Sequence, residues 1–138
     1  MANMKFATIV RNNMLDELTA YAGATVVIKI LSGAQPAGGG AETTVLAELA
    51  GDVSAFAPAA AAGVLTLNGV TADNAANATG TGTWFRIYQS DGNTFVMDGD
   101  ISTIAAGTGD LQLNDTAIVL NGTVSMSGPN TVTAPNAA

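Results

Sequence analysis

The stretch TWFRIYQSDGNTFVMDGDIS, residues 83–102, decides how the chain folds. Two runs of alternating residues flank Asp91-Gly92, and such a pair predicts a β-hairpin because a type I′ turn needs positive φ at both central positions. The first run puts Trp84, Arg86 and Tyr88 on one face, with Phe85 and Ile87 on the other. In the second run Asp98 and Asp100 share the parity of Val96. Both carboxylates are therefore expected on one face, away from Phe95 and Met97 and roughly 7 Å apart.

These residues carry most of the chemistry the chain offers. Asp91 sits where the hairpin must turn, and an Asx side chain there bonds nearby backbone, so its expected role is structural. Asp98 and Asp100 could bridge a calcium ion, but a calcium loop needs more oxygen ligands on a curved segment, and the EF-hand spacing is absent. As an acid–base pair they would need a cleft and two different environments, which one short strand does not supply. The expected role is solvation or capping. Trp84, Arg86 and Tyr88 could form a stacking platform for sugars or bases. The preferred reading is that the rings cover one side of a sandwich, with Arg86 lying over them or pairing with Asp98 or Asp100 across the hairpin.

Working outward, Leu111 and Leu113 in GDLQLN, and Ile118, Leu120, Val124 and Met126 in TAIVLNGTVSMS, mark two further strand runs, with Asn121-Gly122 as a second tight turn. The tail from residue 128 holds Pro129 and Pro135 and is expected to be extended or loosely attached. Towards the N-terminus, residues 71–82 are small and polar and read as a surface crossing, and GVLTLNGV (63–70) reads as a strand. VSAFAPAAAAG (53–63) reads as irregular or an edge strand, because Pro58 and Gly63 oppose the helical bias of alanine. TVLAEL (44–49) is a short strand. SGAQPAGGGAET (32–43) must be a loop, and its three glycines lack the Lys-Ser or Lys-Thr of a phosphate-binding loop. In TVVIKIL (25–31), Val26, Ile28 and Ile30 make one face wholly apolar, which predicts a core strand.

One segment has helical periodicity. In residues 7–23, Val10, Met14, Leu18 and either Tyr21 or Ala22 recur at spacings of three or four, with Leu15 widening the stripe. Thr8 is the expected N-cap and Gly23 the left-handed terminator. The stripe could dock on a neighbouring subunit, but packing on the chain's own sheet is the preferred reading.

The bulk composition narrows the function. The chain has 138 residues, net charge −7, 11% charged and 5% aromatic residues, and neither cysteine nor histidine. The missing residue types remove disulfides, thiolate and imidazole chemistry and every zinc site built from them. Serine has no imidazole to activate it, and neither Lys5 nor Lys29 lies in a Ser-Lys motif, so no enzyme is expected. The four basic residues, Lys5, Arg11, Lys29 and Arg86, are scattered, which argues against direct nucleic-acid binding. So few charges suggest a surface covered by partner subunits. The apolar run FATIV is too short for a secretory signal and ATVVIKIL too short for a membrane span, so synthesis in a cytoplasm is expected. The sequons at Asn77, Asn114 and Asn121 matter only in a secretory pathway.

Together these readings predict one domain over residues 1–138: a mainly β, antiparallel β-sandwich or jelly-roll-like body over about 25–127. One N-terminal amphipathic α-helix (about 8–22) precedes it, and an extended C-terminal tail (128–138) follows. No catalytic, cofactor or metal residue is assigned. From about residue 9 to 127, the wording VRNNMLDELTAYAG, IKILSGAQPAGGGAETTVLAEL, ATGTGTWFRIYQSDG and GDLQLNDTAIVLNGTVSMS resembles a group of small tailed-bacteriophage head decoration, or cement, proteins. The tail after Gly128 departs from that group's usual ending, a β-strand. The resemblance implies a virion protein on the outer capsid surface, made in the bacterial host cytoplasm. Its implied partners are the major capsid protein and copies of itself, a trimer being the natural guess and a dimer the alternative, and neither nucleic acid nor membrane is expected as a partner. A tail, neck or fibre component, or a carbohydrate-binding module using Trp84 and Tyr88, are the alternatives.

Overall fold

The computed structural model describes residues 4–50, 56, 60–68, 70–127 and 130–134. The order of elements is α1 (Thr8–Ala22), β1 (Val26–Leu31), β2 (Val45–Ala50), β3 (Val64–Leu67), β4 (Gly80–Thr81), β5 (Trp84–Gln89), β6 (Phe95–Thr103), β7 (Leu111–Leu113), β8 (Ala117–Ile118) and β9 (Asn130–Thr133). The protein is mainly β with one helix. Among the described residues a five-stranded sheet has the order β2-β1-β5-β6-β7, with two ribbons, β3-β9 and β4-β8, beside it.

The sheet is mixed, not wholly antiparallel as expected, because β7 runs parallel to β6. Parallel neighbours usually need a long crossover. Here only three residue pairs are matched, a length of about 10 Å, so residues 104–110 suffice for the return. The loop is pinned by Ser102, whose buried Oγ accepts the N–H groups of Thr108 (3.2 Å) and Gly109 (2.9 Å). A Cβ at Gly109 would lie 2.4 Å from Ser102 N, so only glycine lets the loop lie this close to β6.

One face of the sheet builds the core. Val26, Ile28 and Ile30 of β1 fall on it as the alternation predicts, joined by Leu49, Phe85, Ile87, Leu111 and Leu113. Leu65 and Leu67 from β3 and Ile118 from β8 close over them. β2 carries a bulge at Leu46, since Ile30 pairs with Ala47 while Leu31 pairs with Val45; Leu46 and Ala47 are consequently both buried.

The helix spans the expected residues but buries a different face. Its inward row is Arg11, Leu15 and Ala22, with Leu18 partly buried against the core, while Val10, Met14 and Tyr21 point outward. Hydrophobic pattern alone could not separate these rows, since both carry apolar residues one position, about 100°, apart. Polar contacts decide: Asn12 Oδ1 accepts the N–H of Gly63 and Asp16 Oδ1 that of Ala60, both at 2.8 Å. Ala7, not Thr8, holds the N-cap place and makes no side-chain cap; the Thr8 hydroxyl instead accepts a 3.5 Å hydrogen bond from Arg11. Gly23 takes positive φ (+84°) as expected, but its ψ of −176° swings the chain out towards β1.

The C-terminal segment and the crossing are more firmly built in than expected. Residues 130–133 pair with β3 throughout, from Val64–Thr133 to Leu67–Asn130, and 128–129 and 135–138 lie outside the described residues. Residues 71–82 are stitched along β2, with Thr71 bridging Ala50 and the N–H groups of Asn77 and Ala78 donating to Leu46 O. Fully buried Ala76 shows why this segment is small as well as polar. Most of 53–63 lies outside the described residues, except buried Phe56 and the stretch 60–63. Among the described residues, no helix is long and apolar enough to cross a membrane.

Candidate functional site

The face of the sheet opposite the core gathers the residues singled out above. Register places Trp84 beside Asp100, Arg86 beside Asp98 and Tyr88 beside Phe95, with Lys29 next to Arg86 on the other side. The expected parity fails at one point. Ile87 pairs with Met97 but Tyr88 with Phe95, so Val96 is a bulge residue, and Phe95 turns onto the face of Asp98 and Asp100. There its ring lies 5.2 Å from the Arg86 guanidinium, whose other flank is the Trp84 ring at 5.0 Å.

This face is closed. Residues 32–43 fold back over it, and Trp84 is only 1% exposed. Trp84 Nε1 donates to Thr43 Oγ1 (3.1 Å), Arg86 Nη1 to Gly40 O (2.6 Å), and the Tyr88 hydroxyl to Glu42. Gln35 Nε2 reaches Asp98 Oδ1 at 3.1 Å. Lys29 pairs with Glu42 at 3.1 Å and lies 4.7 Å above the Tyr88 ring. Of the three consecutive glycines, Gly40 brings backbone close, since a Cβ there would lie 2.9 Å from both Ala37 O and the Pro36 ring, while Gly39 takes positive φ (+74°). Burial raises the Glu42 carboxyl, but hydrogen bonds from Tyr88 and Lys29 outweigh it and the net direction is below the usual carboxylate range.

The aspartates part company. Asp98 forms a buried ion pair with Arg86 Nη2 at 2.8 Å, the cross-hairpin pairing expected. Asp100 faces Asp110: Asp110 N–H donates to Asp100 Oδ1 (2.9 Å) and Asp100 N–H donates to Asp110 Oδ2 (3.4 Å). The Asp110 carboxyl is pushed up, first by desolvation and then by Asp100. Asp91 organises the hairpin turn, its Oδ1 accepting the N–H groups of Asn93 and Thr94 and its Oδ2 the Thr94 hydroxyl. Among the described residues, no group of three or more acidic side chains is placed to hold a metal ion.

What remains open is apolar. Ile9 (64% exposed), Val10, Met14 (43%) and Tyr21 (54%) run along the outer side of α1, and Val119 and Leu120 protrude at the turn after β8. Leu120, expected in a strand run, is exposed because β8 ends at Ile118 and the chain turns, Gly122 N–H donating to Val119 O with Asn121 at φ +62°. Val10, Met14 and Tyr21 were visible in the sequence as part of a stripe, and Ile9 was not. The protruding turn carried no signal beyond Asn-Gly.

Compared with known proteins, the chain matches no family model, no curated protein and no solved structure.

Proposed function

We propose that this chain is a head decoration protein of a tailed bacteriophage, and that the outer face of α1 is its adhesive surface. One observation carries the adhesive reading: Val10, Met14 and Tyr21 stay exposed on one side of a helix that buries Arg11, Leu15 and Ala22 on another, with Ile9 exposed about 100° round from Val10. Scattered apolar side chains on a surface need no explanation, but several large ones on the same side of one helix mark an interaction site. The order and wording of the elements, which resemble the phage decoration group, support the assignment to a virion. The ribbons lying over the core face of the sheet support a sandwich-like body.

On this reading the protein sits on the outer capsid surface, made in the host cytoplasm and held by the major capsid protein and by its own copies, with a trimer suiting a local threefold position. It works by occupancy. A subunit that binds only the intact shell stabilises it by mass action, by about 2.7 kcal/mol per site at a hundredfold excess over Kd, so expansion under internal DNA pressure must first break these contacts. Heads lacking the protein, mixed with the purified chain, should bind it in co-sedimentation and gain resistance to heat or chelator. Failure to bind would refute the assignment. The same adhesive helix would serve a tail, neck or fibre component, and locating the chain in a particle map separates the two. The carbohydrate module loses its platform, since Trp84 and Tyr88 are covered.

A further inference from the structure

Between the core face of the sheet and the β3-β9 ribbon lies a cleft of about 250 Å³. Phe85, Ile87 and Met97 line it from the sheet, Leu67 and Val132 from the ribbon, and Asp110 is the single ionisable side chain among the described residues around it. Asp110 is exposed, so its carboxylate stands at the mouth. Gly99 makes this meeting of ring and carboxylate possible. A Cβ there would lie 2.8 Å from Phe85 Cε1 and 2.7 Å from Asp110 Oδ2, so any larger residue would drive the two away. The reciprocal backbone bonds with Asp100 then hold Asp110 in place.

We propose that this cleft binds a small organic cation, a primary ammonium on a single ring or short alkyl chain, with its apolar part inside and its ammonium against Asp110. Size supports a ring with a short tail, because a cavity of about 150 Å³ already accepts benzene. The lining supports an apolar body, and the position of the carboxylate supports a charged group left near water. Two neighbouring carboxyls, Asp100 and Asp110, repel each other, and an ammonium relieves that repulsion. The net charge of −7 favours a cation over an anion on approach, within the Debye length. This inference does not depend on the decoration reading.

The test is an NMR titration of the isotope-labelled full chain with 2-phenylethylammonium and with 3-phenylpropionate, a probe of similar shape and opposite charge. The expected result is saturable shifts at Phe85 and Met97 with the ammonium bound roughly threefold to fivefold tighter, the range an exposed ion pair supports. Asp110→Asn should erase that preference, and Thr131→Trp, at an exposed position on the lining, should block both probes. Thr131→Trp also decides the matter if Asp110→Asn does not fold. Shifts absent at Phe85 and Met97, equal binding of the two probes, a preference that survives Asp110→Asn, or unchanged binding to Thr131→Trp would each overturn the proposal.

Discussion

Arg86 is a guanidinium taken out of water and answered on several sides: by Gly40 O, by Asp98, and by the Trp84 and Phe95 rings. Removing one partner of such a pair leaves a buried charge uncompensated, so Asp98→Ala should cost about 3–5 kcal/mol, while Arg86→Met with Asp98→Leu should cost far less. Urea unfolding followed by the fluorescence of Trp84, the only tryptophan, measures both; a single-variant cost below about 1 kcal/mol would contradict the account. Arg86 lacks a hydrogen-bond partner among the described residues at Nε only, and Arg11 is answered less fully. It is buried beneath Gly63, and its Nε and Nη1 have no hydrogen-bond partner among the described residues. Arg11→Met should therefore be neutral or stabilising, by up to about 1 kcal/mol, and a loss of Tm would show that the charge is needed. Glu42 sets a pH dependence. Its folded pKa lies below the ordinary value, so its contribution is complete above the ordinary carboxylate range and is lost as pH falls through the lowered value. Asp91, lowered by its Thr94 and Asn93 bonds, acts in the same direction. In acid titration the chain should lose stability in that window, and Glu42→Gln should flatten the loss.

Among the elements, the hairpin shows what could be read and what could not. Asp91-Gly92 does mark the turn, but Asp91 is not at positive φ; Gly92 N–H closes on Gln89 O with Gly92 alone at +66°. A longer turn and the Val96 bulge followed, and the bulge is what moved Phe95 across the strand. The tight turn with two positive φ values lies elsewhere, at Ala62 (+54°) and Gly63 (+74°), where Ala61 and Val64 exchange both backbone hydrogen bonds. Alanine carries no turn signal and is strained there, so sequence could not announce it. Ala62→Asn should stabilise the fold by about 0.5–1 kcal/mol, readable as a raised urea midpoint at unchanged slope; destabilisation would show that Ala62 is held by packing. For α1, the extent followed from periodicity and the buried face did not. Asn12 and Asp16 chose it by capturing backbone donors 51 and 44 positions further along the chain, which no local pattern encodes.

At the scale of the molecule, a mainly β body with one leading helix was legible because alternation in β1 and β5 is strong and glycine and proline punctuate the rest. The parallel β6-β7 pair was not, since it depends on one serine and one close-packed glycine. Nor was β9, whose short run sits between prolines and whose pairing is supplied entirely by distant β3. On the sheet face the fold contains the cross-hairpin Arg86–Asp98 pair that the alternation predicted, while the buried rings lie under the loop 32–43 and not between two sheets. With that face covered by residues 32–43, the outer side of α1 is an apolar surface left for a partner among the described residues. The direct test is the affinity of the purified chain for phage heads lacking it, compared with Val10→Glu/Met14→Glu, two exposed changes that leave Leu15 and Ala22 in the core. The account predicts tight binding by the unaltered chain, at least a tenfold loss in the double variant, and an unchanged Tm. Equal binding of both chains, or no binding of either, would contradict it.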